Sequence, residues 1–289
     1  MSELTELQSA DAYCRLLARR HYENFTVLSA FVPSAVRLHL ARIYAYCRTT
    51  DDFGDESGDA ALARLTSWRT QVEQCFARTA APIHPVLIAL RPTIESCGMT
   101  VQPFLDLVAA NEQDQTVTRY ETWDELKAYC DHSAAPVGRM VLRAFGVDDQ
   151  RATALSDDVC IGLQLANFAQ DVARDGARGR AYVLQSDLRT GGLPGAVRSL
   201  CDRAEVLLAS GCDLESRVPR NLGRQIALYR LGGSAVVDAV RRVGYRTDLV
   251  RPRVSSLVKA RLAGGVLLGS GRGGGGAHAQ SAAGSASLH

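Results

Sequence analysis

Helical periodicity over nearly the whole chain is the feature that most limits what this sequence can fold into. Ten segments place apolar residues three and four apart, and none alternates as a strand would. They begin with "DAYCRLLARRHY", "SAVRLHLARIYAYCRTTDDF" and "DAALARLTSWRTQVEQCFART" and end with "RNLGRQIALYRLGGSAVVDAVRRVG" and "RVSSLVKARLAGG". "TWDELKAYCDHSAAPVGRMVLRAFG" and "DQRATALSDDVCIGLQLANFAQDVARDG" each read as one long segment. Punctuation agrees with the period. Pro33 and Ser34 open a helix, Asp59 is placed to cap the next, and Gly98 and Gly146 close two more. No connection is long enough for an interdomain linker, and no repeat of fixed period is present. The pattern predicts a single all-α domain, a helical bundle over residues 1–263.

Residues 264–289 are rich in Gly, Ala and Ser and are expected to form a disordered tail. The tail contains a literal G-x-G-x-x-G from Gly269 to Gly274. A dinucleotide site needs a strand before that pattern and a helix with an acidic residue after it, and too little chain follows. The net charge of +2 gives no reason to expect nucleic acid as a partner. Two of the 33 basic residues, Lys127 and Lys259, are lysines, so 31 are arginines, the side chain best suited to bidentate phosphate contacts. The eight cysteines are scattered singly and read as reduced, mostly buried thiols, Cys47 and Cys130 among them. The first twenty residues lack the apolar core of a signal peptide, and no apolar run approaches the roughly 20 residues that span a bilayer. These features lead to the expectation of a cytoplasmic protein, either free or resting on a membrane surface.

Two acidic stripes interrupt the apolar pattern. Tyr44, Arg48, Asp51 and Asp55 follow one another at spacings of four, three and four. Gln164, Asn167, Asp171 and Asp175 follow at three, four and four. Each set falls on one helical face at about 100° per residue. Like charges four apart destabilise a helix by about 0.2–0.5 kcal/mol, and near a helix C-terminus the macrodipole disfavours them further. A single stripe of this kind is ordinarily a solvated helix face. Two, each carrying an amide or guanidinium, suggest inner walls of a bundle, where facing carboxylates would not stay ionised without divalent cations. Hard oxygen ligands point to Mg²⁺, which binds a few carboxylates together with substrate phosphates. The chemistry that this setting suits is ionisation of an allylic diphosphate. Asp52 and Glu56 point away from the first stripe, and Asp157 with Asp158 lacks the four-residue spacing.

"HYENF" (21–25), "YAYCRTTDDFGDE" (44–56), "YCDHSAAPVGRMVL" (129–142), "LQLANFAQDVARD" (163–175) and "GRAY" (179–182) together resemble the squalene/phytoene synthase family, the head-to-head isoprenoid diphosphate synthases. The resemblance covers roughly residues 12–262. It implies an isoprenoid synthase helical bundle with a central cavity between the acidic helices. It further implies that Asp51, Asp55, Asn167, Asp171 and Asp175 hold Mg²⁺. Tyr44, Arg48 and Gln164 would be the catalytic contacts to the diphosphate and the first prenyl carbons. His21, Asn24, Arg180, Tyr182 and Tyr245 would complete the substrate site.

Within the family the chain is most similar to hydroxysqualene synthases of bacterial hopanoid pathways, on "HYENF", the Ser133–Gly138 stretch and "QLANFAQDVARD". That branch converts presqualene diphosphate and water to hydroxysqualene and diphosphate, and implies a presqualene diphosphate synthase as the source of substrate and a candidate partner. Two alternatives share the motifs. One is head-to-head condensation of farnesyl diphosphate to presqualene diphosphate, squalene or dehydrosqualene. The other is a non-catalytic assembly-factor relative, which would need the fold but not the acidic ligands retained here. Departures from the family pattern are Leu184 where Pro is usual, Ala169 where Trp is frequent, Ala135 where Asn is expected, and the run Gly232-Gly233-Ser234. Ala169 and Ala135 are expected to leave room in the cavity for water, positioned by Tyr44 and Gln164.

Overall fold

The computed structural model describes residues 3–20 and 32–268. Among these residues lie twelve α-helices and one pair of short strands. Helix α1 (Glu3–Arg20) packs on α2 (Ser34–Asp55) and α4 (Pro85–Cys97), while α3 (Ala61–Ala77) and α5 (Gln102–Gln113) flank α2. The apolar face of α2 follows the predicted period, burying Ile43, Ala45, Tyr46, Thr50 and Gly54. Tyr46 donates to the Phe104 carbonyl at 2.9 Å, and Trp68 donates to Thr50 at 2.9 Å, so the polar atoms on this face are satisfied. Arg42, buried in the same region, is held bidentately by Asp11 of α1 at 2.8 and 2.9 Å. Fully burying side chains the size of Leu65, Leu87 and Leu90 contributes about 1.5–3 kcal/mol each to this half of the core.

The second half is built on α8 (Gln150–Gln170), which packs against α10 (Gln185–Arg217), α11 (Arg220–Arg242) and α7 (Ala135–Ala144). Asp149 caps α8 by accepting from the Arg151 and Ala152 amides. Thr122 and Glu125 form a reciprocal capping box on α6 (Trp123–Ser133). Gly98 ends α4 at φ 58°, a left-handed conformation that glycine adopts without a Cβ penalty.

Local chemistry divides several of the long segments. The stretch from Thr122 to Gly146 is two helices, α6 and α7, separated at Ala134. Pro136, in the first turn of α7, has no N–H to return to the His132 carbonyl. The stretch from Asp149 to Gly176 breaks at Asp171, whose ψ of 17° is not helical, into α8 and the short α9 (Val172–Ala177). Helix α10 begins at Gln185 and bends at Gly192 with φ 60° just before Pro194. Asp59 lies in a 3-10 turn, Gly58–Ala60, and makes no side-chain cap on α3. Strands β1 (Arg119–Tyr120) and β2 (Ala181–Leu184) pair in parallel and were invisible to period analysis because each is too short to alternate. The last helix, α12 (Ser256–Leu267), runs four residues past the expected domain end at 263 and buries Val266.

Candidate active site

The two acidic stripes line one cavity of about 980 Å³. From α2 come Arg48, Asp51 and Asp55. From α8 come Gln164 and Asn167, with Asp171 at the helix break and Asp175 on α9. The break means the second stripe is not one continuous helical face, yet all four of its residues reach the same space. Arg180 and Tyr182, around the start of β2, also line it. Tyr44 and Tyr245 are not among the lining residues. Tyr44 lies one turn before Arg48, and Tyr245 stands just after α11 at φ 60°, packed on the second core. His21 and Asn24 lie outside the described residues. Ala169 and Ala135 are both fully buried and do not line the cavity, so they give it no room for water.

Among the lining groups that escaped the sequence reading as site residues are Asn111 and Asp114 from α5, Tyr129 and Ser133 from α6, and the cations Arg251, Arg253 and Lys259. The signal for the first two was present, because Leu107, Asn111 and Asp114 share a helical face and the polar pair interrupts an apolar one. Helix α5 can approach so closely because residue 54 is glycine. A Cβ there would lie 2.6 Å from Asn111 Oδ1. The approach lets Asn111 donate to Asp51 at 3.3 Å and Gln115 donate to the Gly54 carbonyl at 3.2 Å.

Arginines, rather than other groups, offset the acidic charge within the chain. Asp55 accepts from Arg178 at 3.2 Å and Arg180 at 2.9 Å. Arg180 Nη1 also lies 3.8 Å from Asp114, which in turn accepts from the Tyr129 and Tyr182 hydroxyls at 2.8 and 3.2 Å. Asp171 is paired with Arg251 and lies 3.7 Å from Arg174. For Asp55 and Asp171 this corrects the expectation that facing carboxylates need divalent cations to remain ionised. Among the described residues no three His, Cys, Asp or Glu side chains form a preassembled metal cluster, so the acids of the two walls are not gathered around one point. Asp52 and Glu56 also have a definite task. They form ion pairs with Arg48 Nη2 at 2.5 and 3.2 Å and so hold that guanidinium at the cavity wall. Asp157 is paired with Arg139 at 2.9 Å.

Two carboxylates remain poorly compensated. Asp51 opens onto the cavity, yet protein surrounds it closely enough for burial to push its carboxyl up to about 6, with Asn111 opposing the rise and Asp55 adding to it. Burial likewise raises Asp175 to about 6, and Asp171 adds to the rise. No arginine among the described residues lies within ion-pair distance of either group. Burial also holds the Asp114 carboxyl above its usual range, against the pull of Arg180. A site with oxygen donors from two walls, two under-neutralised carboxylates and a buried Arg48 Nε with no hydrogen-bond partner among the described residues fits a divalent cation bound together with an anion. Phe168 and Tyr182 stack with centroids 3.9 Å apart, giving the polar site an aromatic wall.

Acidic walls facing across a helical cavity define a class of protein with known members. The squalene/phytoene synthase model matches residues 18–258, and the chain belongs to that family. A crystal structure of squalene synthase HpnC from Alicyclobacillus acidocaldarius superposes with a TM-score of 0.78 at 42% identity, covering 83% of this chain and 96% of that one. Hydroxysqualene synthase of Sinorhizobium fredii is 32% identical over 219 residues, 70% of this chain and 73% of the relative. Phytoene synthase of Arthrospira platensis is 32% identical over 201 residues, 64% of each protein, so the matched region spans just under two thirds of that relative.

Proposed function

We propose that this chain is a Mg²⁺-dependent hydroxysqualene synthase that converts presqualene diphosphate and water to hydroxysqualene and diphosphate. The observation that carries the reading is the convergence of both acidic stripes, with Arg48 and Arg180, on one cavity. Its volume of about 980 Å³ lies at the upper end of the ~300–1,000 Å³ typical of small-molecule pockets, as a thirty-carbon ligand requires. The choice of branch is supported by the 32% identical relative named hydroxysqualene synthase, while the 42% identity to squalene synthase HpnC supports the family and leaves the product to experiment.

When bound, Mg²⁺ would neutralise charge on the leaving diphosphate. Asp51, Asp55, Asn167, Asp171 and Asp175 would hold it. Arg48, fixed by Asp52 and Glu56, meets the diphosphate as a rigid cation. Arg180 leaves its contact with Asp55 to do the same, while Asp114 keeps it within the cavity. Phe168, Tyr182 and Tyr129 shield the organic cation from bulk water. No helix among the described residues is long and apolar enough to cross a membrane, so substrate would come from solution or a membrane surface, supplied by a separate presqualene diphosphate synthase.

The test is product analysis of the full chain given presqualene diphosphate alone or farnesyl diphosphate alone, each with Mg²⁺ and with chelator. The reading expects a thirty-carbon alcohol from presqualene diphosphate with Mg²⁺, and no product from farnesyl diphosphate. Turnover of farnesyl diphosphate would move the chain to the condensing branch, to which the 27% identical presqualene diphosphate synthase of Sinorhizobium fredii belongs by name. No turnover of either would favour a non-catalytic relative.

A further inference from the structure

Six of the thirteen large apolar side chains exposed among the described residues lie between Leu249 and Leu268. Single exposed leucines are ordinary, but such a concentration marks a surface that meets something. Helix α12 carries most of it. The helix packs chiefly on α11, and Val266 is its one buried residue. At about 100° per residue Lys259, Leu262 and Val266 fall on one face, and the first two line the cavity. Leu257, Arg261, Gly264 and Leu268 fall on the opposite face, where Leu257 is 83% and Leu268 85% exposed. Helix α12 is thus a lip of the cavity, with one side turned to the site and the other to solvent.

The same stretch carries charge of one sign. From Leu249 to His289 there are Arg251, Arg253, Lys259, Arg261 and Arg272 but no Asp or Glu, in a chain with 31 acidic residues. Arg251 is engaged by Asp171, whereas Arg253, Lys259 and Arg261 form no ion pair with the described residues. Three occupants could cover such a face. A second copy docking about a two-fold axis would set the patch against itself, cation on cation, with no acid in the stretch to offset the repulsion. Residues 269–289 carry one apolar side chain larger than alanine, Leu288, too little to cover six. An anionic lipid surface meets both features at once. Its headgroups pair with the arginines and lysine, and the acyl boundary receives the leucines.

We propose that the outer face of α12, with the segment 249–253 before it, docks on an anionic bilayer surface and sets the cavity mouth beside the lipid. Isoprenoid diphosphates, the substrates of this family, are themselves amphiphiles whose prenyl chains partition into lipid. A lip seated on the bilayer lets such a chain pass into the cavity with little exposure to water. The proposal rests on that substrate class and not on the hydroxysqualene synthase reading.

The experiment sediments the full chain with vesicles of phosphatidylcholine alone or mixed with phosphatidylglycerol, at low and high salt. Binding is expected on the anionic vesicles and should weaken with salt and on neutral lipid. Leu257→Asp and Leu268→Asp should each lower vesicle affinity about tenfold. Arg261→Gln should lower it about fivefold on anionic vesicles and leave the neutral ones unaffected. Melting temperature and solution mass should match wild type in all three, because the face is open to water in the free protein. Absence of a preference for anionic vesicles, or wild-type binding by both Leu variants, overturns the proposal. So does a Leu variant that melts several degrees lower or dissociates a wild-type dimer, since the chain itself or a second copy would then cover the face. The readout needs no turnover. A failed hydroxysqualene assay therefore leaves this proposal standing, and failed vesicle binding leaves that reading standing.

Discussion

Replacing Asp175 by Asn should stabilise the metal-free protein, and only above a definite pH. Burial raises the Asp175 carboxyl from 3.8 to about 6. The folded state therefore binds this proton more tightly than the unfolded chain does. By linkage, stability falls as pH rises from about 4 to about 6 and stays lowered above that. At about 1.4 kcal/mol per pKa unit the shift sets a ceiling near 3 kcal/mol. Asp175 is half-buried, so water screening reduces the usable effect to roughly 1 kcal/mol. A domain of this size gains roughly 2–4 °C in melting temperature per kcal/mol. Thermal melts in chelator should thus show Asp175→Asn higher by that margin at pH 7.5 and equal to wild type at pH 4. Asp171→Asn supplies the contrast. Asp171 is paired with Arg251, so its replacement breaks an ion pair and brings no gain. An Asp175→Asn melt at or below wild type at pH 7.5, or a gain that persists at pH 4, would refute the assignment of an under-neutralised carboxylate.

Asp11→Ala strands the buried Arg42 charge and should cost about 3–5 kcal/mol in denaturant melts. Arg180→Gln removes a charge-assisted contact shared by Asp55 and Asp114. It should lower kcat/KM for presqualene diphosphate about 10–100-fold, and unchanged kinetics would remove Arg180 from the site. Deleting residues 269–289 should leave the melting temperature unchanged. Deleting from 264 onward removes the last turn of α12 with buried Val266 and should cost about 1–2 kcal/mol.

The helices and both acidic stripes were legible because a 3.6-residue period and four-residue spacings survive in the sequence as local patterns. What was hidden depends on contacts far apart in the chain. Asp55 meets Arg178 and Arg180 across more than 120 positions, and Asp171 meets Arg251 across 80. Spacing within a helix carries no trace of such partners, so the acids looked uncompensated when arginines were already in place. The breaks at Ala134 and Asp171 were missed because the apolar period runs through them. Pro136 was the available warning for the first, and nothing local marked the second. Ala169 and Ala135 were read as cavity residues on size alone, but both face into the packed core.

The central claim is that water captures a carbocation released in this cavity. It is tested most directly by one turnover mixture of full chain, Mg²⁺ and presqualene diphosphate in ¹⁸O-water, without any nicotinamide reductant, read by mass spectrometry. The account predicts a thirty-carbon alcohol carrying one ¹⁸O. An unlabelled hydrocarbon as the main product, or an alcohol without the label, would contradict it.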